Sequence, residues 1–205
     1  MFELFRSNEP TCLSCFEPIS VGTYFFEWWF KEDGLCTKCR FQMLPKWVKH
    51  RKLGLDIESI YRYEGLARSL ILNFKDSEDK WLRQAFLNPC YLKFHLKYWG
   101  YVIVLAPSSQ ENLSYRPNKE LVKDLKLEVI DDVFVKLKSY KQSEMSLKQR
   151  ADVKDVIALK NVHQIRNRKV LIFDDICTTG NTLKACHDLI SCEVSQIRLF
   201  TLFYH

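Results

Sequence analysis

Two groups of residues in this chain of 205 amino acids have the types and spacing to do chemistry. The first is Asp174 and Asp175, followed at once by Thr178, Thr179, Gly180, Asn181 and Thr182. Glycine tolerates positive φ, so Gly180 allows a tight turn whose backbone N–H groups converge. With the threonine hydroxyls they form a cradle for a dianionic phosphate, strengthened if a helix begins there. Two adjacent carboxylates suit neighbouring hydroxyls of a sugar, or a magnesium ion near them. A phosphate beside a ribose diol describes a ribose 5-phosphate. No Walker lysine accompanies the loop, which disfavours a triphosphate. The plainer alternative is a strand–turn–helix with a helix cap and two solvated acids.

The second group is Cys12-x-x-Cys15 and Cys36-x-x-Cys39, separated by Phe16 to Leu35. Each C-x-x-C bends the chain so that both sulfurs reach one face of a tetrahedral ion, and the spacing is that of a four-cysteine zinc ribbon. Four thiolates with no open position imply a structural rather than a catalytic metal. The β-prone aromatic segment Thr23 to Phe30 and the turn Lys31 to Gly34 fit a small ribbon with little core of its own. A redox dithiol is the alternative.

Several elements must position these groups. Val170 to Phe173 reads as a short strand buried on both faces that ends at the acid pair, and Leu183 to Ser191 as the helix after the turn. Tyr101 to Ala106 is a second buried strand, leading into Pro107, Ser108 and Ser109. Ser59 to Gly65 alternates like an edge strand. Glu64 to Lys75 has helical spacing, and Asp79 to Tyr98 is a helical pattern interrupted at Asn88-Pro89. Asn112 to Leu127 reads as a helix, Glu128 to Val135 as a third strand, and Gln196 to Phe203 as the last. In open α/β sheets ligands sit outside the carboxyl ends of strands, which is where the acid pair falls.

Between the cysteines and the first strand, Arg40 to Leu55 carries Arg40, Lys46, Lys49, Arg51 and Lys52 and no acid, with Trp47 and His50 interleaved. Lys46, Trp47, Lys49, Arg51 and Lys52 are therefore candidates to track a phosphate backbone and stack a base. A solvated linker is the alternative. The expected division is a zinc-ribbon module over 1–45, a basic linker over 46–58 and an α/β domain over 59–205.

VLIFDDICTTGNT resembles the thirteen-residue signature of type I phosphoribosyltransferases, which bind phosphoribosyl pyrophosphate (PRPP). The resemblance implies a Rossmann-like parallel sheet with flanking helices, preceded here by the small N-terminal four-cysteine zinc ribbon. It implies that Asp174 and Asp175 face the ribose hydroxyls, as the catalytic acids, and that Thr178 to Thr182 hold the 5′-phosphate. The loop after the second strand, with Pro107, Ser108 and Ser109, would bind pyrophosphate through its backbone N–H groups, none of them from the proline, and PRPP would arrive with Mg. A mobile loop over Lys136 to Arg150 would close the site, with Lys141, Gln142 and Arg150 contacting anions. Thr178 stands where the purine-salvage branch usually carries a third acid, which sets the chain apart from hypoxanthine-type enzymes.

The cysteine pairs joined to that signature are similar to the ComF (ComFC) class of bacterial competence proteins. Tyr63-x-Gly65, Leu72-Asn73-Phe74-Lys75-Asp76 and Lys141-Gln142 with Arg150 fall in the expected order. Relatives usually carry R-G-F-N-Q after the second strand, where this chain has Ser114-Tyr-Arg-Pro-Asn-Lys119. The class implies a role in natural transformation and DNA uptake: handling incoming single-stranded DNA with a ComFA-type ATPase translocase. Two functions stay open, a competence accessory protein with a PRPP pocket and an active, Mg-dependent phosphoribosyltransferase.

Composition is consistent with either. Apolar residues make up 47% of the chain, enough for a core, and the net charge of +6 permits nucleic-acid contact without requiring it. No apolar leader opens MFELFRSNEP and no run has membrane-spanning length, so a cytoplasmic protein without membrane insertion is expected. Cys90, Cys186 and Cys192 read as small buried apolar residues.

Overall fold

A computed structural model describes residues 10–19, 33–107, 115–137 and 156–205. Six of its strands form one sheet: β1 (Val48–Lys52), β2 (Leu55–Arg62), β3 (Tyr101–Leu105), β4 (Val129–Ile130), β7 (Lys169–Cys177) and β8 (Gln196–Tyr204). Their order is β1-β2-β8-β7-β3-β4, and every pairing is parallel except the β1–β2 hairpin. The remaining two, β5 (Phe134–Leu137) and β6 (Val156–Leu159), pair antiparallel by themselves.

Parallel strands need cover on both faces, which explains why β3 and β7 are continuous apolar runs. Every residue of Tyr101–Leu105 is buried, as are Val170 to Phe173. On one face lies helix α6 (Asn181–Ile190), with Leu183, Cys186 and Ile190 packed in a cluster with Val170, Ile172 and Leu199. The other face carries α2 (Gly65–Asp76), α3 (Gln84–Leu87) and α4 (Tyr91–Lys97) over an aromatic core. There Phe173 stacks on Phe200 with ring centroids 5.6 Å apart, and Phe94 meets Phe200 edge-on at 5.1 Å. Offset and edge-to-face pairs of this kind add to the burial of their area.

The cysteine segment is part of this second core. Cys12, Leu35, Cys39 and Met43 cluster with Ile60, Tyr61 and the α2 side chains, and helix α1 (Thr37–Gln42) lies against α2.

Several elements differ from their sequence reading. The 46–58 segment contains β1 and the start of β2, joined by Leu53 (φ 51°) and Gly54 (φ 79°). Two positive-φ residues are the mark of a tight hairpin turn, so this stretch belongs to the sheet rather than to a solvated linker. Consequently β2 is interior and β1 is the edge. β7 does not stop at the acid pair: Asp174, Ile176 and Cys177 pair with Thr201, Phe203 and Tyr204. The single strand expected over Glu128 to Val135 is broken into β4 and β5. Between them, Asp131 turns to Arg116 and Lys119, and Asp132 accepts from Asn161 Nδ2 at 2.5 Å. The helix expected from Asn112 begins, among the described residues, at Pro117 (α5, Pro117–Val122) and tightens into a 3-10 turn at Lys123–Leu125. Cys90 and Cys186 are buried as expected, but Cys192 is exposed. No helix among the described residues is long and apolar enough to cross a membrane.

Candidate functional site

The carboxyl ends of β3 and β7 lie side by side, Leu105 pairing with Phe173. β7 delivers Asp174 and Asp175, and the turn after it places Gly180 at φ 85° as the residue before α6. Thr178 and Thr179 are exposed there, Asn181 N donates to Thr179 Oγ1 at 3.4 Å, and Lys184 N closes the first helical turn onto the Gly180 carbonyl. With ten residues behind it, α6 presents a positive end at this loop. Pro107 follows β3 and lines a crevice with Leu105, Ala106, Arg116, Asn118, Lys119, Asp131 and Phe134, which adjoins the acid pair through Asn118. Ser108, Ser109, Lys141, Gln142 and Arg150 lie outside the described residues.

The acid pair is held in place by donors from its own backbone and from two helices. Asn118, buried on α5, donates from Nδ2 to Asp174 Oδ1 at 3.2 Å. Asp175 N donates to the same oxygen at 3.0 Å, and Ile176 N donates to Asp175 Oδ1 at 2.7 Å. Lys75, in the last turn of α2, forms an ion pair with Asp175 Oδ2. Burial, then the charge of Asp175, push the Asp174 carboxyl up to about 7 against the pull of Asn118 and Lys75.

At the crevice mouth Asp131 Oδ2 takes Lys119 Nζ at 2.8 Å and Arg116 Nη1 at 3.2 Å. Against the penalty of burial, these two cations hold the Asp131 carboxyl below its ordinary range. The altered loop that replaces the R-G-F-N-Q run therefore still brings Arg116, Asn118 and Lys119 to the site.

The residues read as a nucleic-acid patch divide. Lys46, Lys49 and Arg51 are exposed. Lys49 faces Glu58 at 3.7 Å and Arg51 faces Asp56 at 3.9 Å, both long pairs of little strength. Lys52 instead donates to the Thr178 carbonyl in the loop after β7, and its Cβ lies 3.2 Å from where a Cβ on Gly180 would sit. Trp47 is half-buried against Phe94, Tyr98 and Phe200, with Lys93 and Lys97 each 4.9 Å from its ring centre. Packing commits this indole to the core, so it is not a free platform for a base.

Lys75, Lys52, Asn118 and Asp131 are the residues that pattern alone does not assign to this site. Lys75 has a signal, since it sits in the Leu72 to Asp76 segment that carries part of the resemblance. Nothing local marks Asp131, whose partners come from a helix before it.

The four N-terminal cysteines form a separate cluster, with all four sulfurs within 4.8 Å of one another and Cys15 Sγ 3.6 Å from Cys36 Sγ. Zinc–sulfur bonds of about 2.3 Å in a tetrahedron put sulfurs about 3.8 Å apart, so the set could hold a metal such as zinc. Cys36 N and Ser14 N donate to Cys12 Sγ at 3.2 and 3.5 Å, as expected around a thiolate. Burial and the three neighbouring cysteines push Cys39 up to about 12, whereas backbone donors outweigh burial at Cys12 and bring it down to about 7. Holding all four as thiolates at this spacing would need a cation among them. The second knuckle is clamped by buried Asp33, which takes Arg40 Nε at 2.7 Å and Nη2 at 2.9 Å and the Leu35 N–H at 3.0 Å.

Residues 102–205, half of the chain, match the phosphoribosyl transferase domain family. No curated protein matches the chain. Similar solved structures include a hypoxanthine phosphoribosyltransferase from Staphylococcus aureus in two crystal forms. The tetragonal form has 19% identity and a TM-score of 0.40, the orthorhombic form 20% and 0.41; each alignment covers 60% of this chain and 62% of that one. APRTase from Giardia lamblia, complexed with 9-deazaadenine, has 13% identity and a TM-score of 0.37, covering 78% of this chain and 93% of that one. This chain thus spans less than two thirds of the length of the Staphylococcus aureus proteins.

Proposed function

Because the chain belongs to the phosphoribosyl transferase domain family, we propose that the crevice beyond β3 and β7 binds PRPP. The observation that carries this reading is the acid pair and the Thr178 to Thr182 loop sharing one end of one strand, with α6 behind the loop. The loop N–H groups and hydroxyls hold the 5′-phosphate, and the acid pair accepts from the ribose hydroxyls. The diphosphate arm lies toward Pro107 and the cations nearest the mouth, Arg116 and Lys119. Magnesium, when present, supplies charge neutralisation on the diphosphate oxygens. If a nucleophile displaces the diphosphate, positioning and charge stabilisation of a sugar cation account for most of the rate. The test is thermal stabilisation by PRPP with Mg, which mass action requires of any ligand that binds only the folded state. An unchanged melting temperature at high PRPP overturns the reading, and release of pyrophosphate with a given acceptor separates a transferase from a binding protein.

The reading extends to a competence accessory role, in which single-stranded DNA and a ComFA-type translocase are partners and zinc staples the cysteine segment. What favours it is the set of exposed cations Lys46, Lys49 and Arg51 on and beside the edge strand. Binding to a phosphate backbone releases counterions, so affinity for single-stranded DNA falls steeply with salt. Neutralising Lys49 and Arg51 lowers that slope; a slope identical to wild type counts against the patch.

A further inference from the structure

The acid pair is closed by a side chain that the phosphate loop does not supply. Of the four carboxylate oxygens, three already accept from the protein: Asp174 Oδ1 from Asn118 and Asp175 N, Asp175 Oδ1 from Ile176 N, and Asp175 Oδ2 from Lys75. Only Asp174 Oδ2 has no partner among the described residues. The Lys75–Asp175 pair is not a loose surface contact, since the two side chains are 26% and 13% exposed. A desolvated pair of this kind is strongly coupled, and removing one member leaves a charge uncompensated.

Magnesium needs near-octahedral oxygen ligation at about 2.0–2.1 Å. Seated on both carboxylates, it would have to displace the Lys75 ammonium or sit beside it at like charge. The donor set present therefore does not fit a metal bridging Asp174 and Asp175.

We infer that Lys75 is the resident cation of the acid pair, taking the place of a divalent metal there, so that the sugar-phosphate half of the ligand is bound without metal. The inference rests on the PRPP reading and narrows it: magnesium then serves the diphosphate alone. Lys75 acts as a positioning residue. It fixes Asp175 against the backbone and leaves Asp174 Oδ2, facing no donor among the described residues, to accept from a ribose hydroxyl.

Ribose 5-phosphate, which lacks the diphosphate, is the discriminating probe. Its affinity for the full-length protein is measured by calorimetry in resin-stripped buffer and again with saturating Mg. A resin is used because a soluble chelator would also attack the cysteine cluster. Wild type is expected to change by less than about twofold, whereas Lys75→Met loses about tenfold or more without Mg and recovers with it. Lys75→Arg, which keeps the charge, stays close to wild type in both buffers. Metal-dependent binding by wild type overturns the inference, and this arm needs no variant to fold. Equal affinity of Lys75→Met and wild type in stripped buffer overturns it as well. Failure of wild type to bind either ribose 5-phosphate or PRPP with Mg overturns the PRPP reading instead.

Discussion

Replacing Asp174 with Asn tests the electrostatics of the site directly. The carboxyl is pushed up to about 7 from an ordinary 3.8, first by burial and then by Asp175. Because the folded value lies above the unfolded one, the folded chain keeps this proton longer. The stability it confers is complete at low pH and is lost as pH rises from about 4 to about 7. A displacement of that size corresponds to about 4 kcal/mol as an upper bound, and partial exposure of the side chain reduces this to about 2 kcal/mol. Asn keeps an acceptor for Asn118 and carries no charge. Between pH 4 and pH 8 the wild type should therefore lose about 2 kcal/mol relative to Asp174→Asn, which is about 4–8 °C in melting temperature for a chain of this size. Differential scanning calorimetry of both proteins across that range measures it. The variant should also show no stabilisation by PRPP. Parallel pH profiles, or a variant less stable than wild type at pH 8, would refute the argument that this acid is held at a cost.

Other perturbations follow from single contacts. Gly180→Ala places a Cβ at φ 85° and 3.2 Å from Lys52 Cβ. It should cost about 1–2 kcal/mol and weaken phosphate binding, as read by denaturant unfolding and ribose 5-phosphate titration. Ser59 and Thr201 share a fully buried hydroxyl contact at 2.6 Å. Ser59→Ala should cost about 1–3 kcal/mol by orphaning Thr201, while Ser59→Ala with Thr201→Val should recover much of it, both read by denaturant unfolding. Metal analysis of purified protein should find one zinc per chain. Cys39→Ser, or stripping the metal, should lower the melting temperature of the whole protein cooperatively, because Cys12 and Cys39 lie in the same core as α2. Two separate transitions would refute that coupling.

The strand–turn–helix that carries the acid pair and the Thr178 to Thr182 loop is legible in the sequence because its residues are adjacent in the chain. Acid pair, threonines and glycine sit within one strand–turn–helix, where periodicity and turn chemistry act locally. The cysteine cluster is legible for the same reason, each knuckle being a four-residue event. What pattern misses comes from elsewhere in the chain. Lys75 reaches Asp175 from a helix about a hundred positions earlier, and Asn118 reaches Asp174 across 56 residues. Neither contact leaves a periodic trace. The β1 strand is masked by its own composition. Val48 to Lys52 alternates half-buried and exposed, but four of its five residues are basic or histidine, so hydrophobic periodicity carries no strand signal. Trp47 misleads for a related reason. A tryptophan among lysines reads as a nucleic-acid platform, yet here the lysines over its ring belong to α4 and the indole fills the groove beside Phe200.

The junction of β2 with β8 has a kinetic consequence. Ser59 and Thr201 meet across 142 positions of sequence, so this seam joins segments made far apart in time. The β1–β2 hairpin and α2 can form early from neighbouring contacts, but they have no sheet to dock on until β8 is in place. Closing so long a span is unfavourable until its pairings are made, which delays the step. A trapped folding intermediate should therefore have an unlatched β2, with Tyr61 and Phe203 still in water and open to a chaperone or a protease.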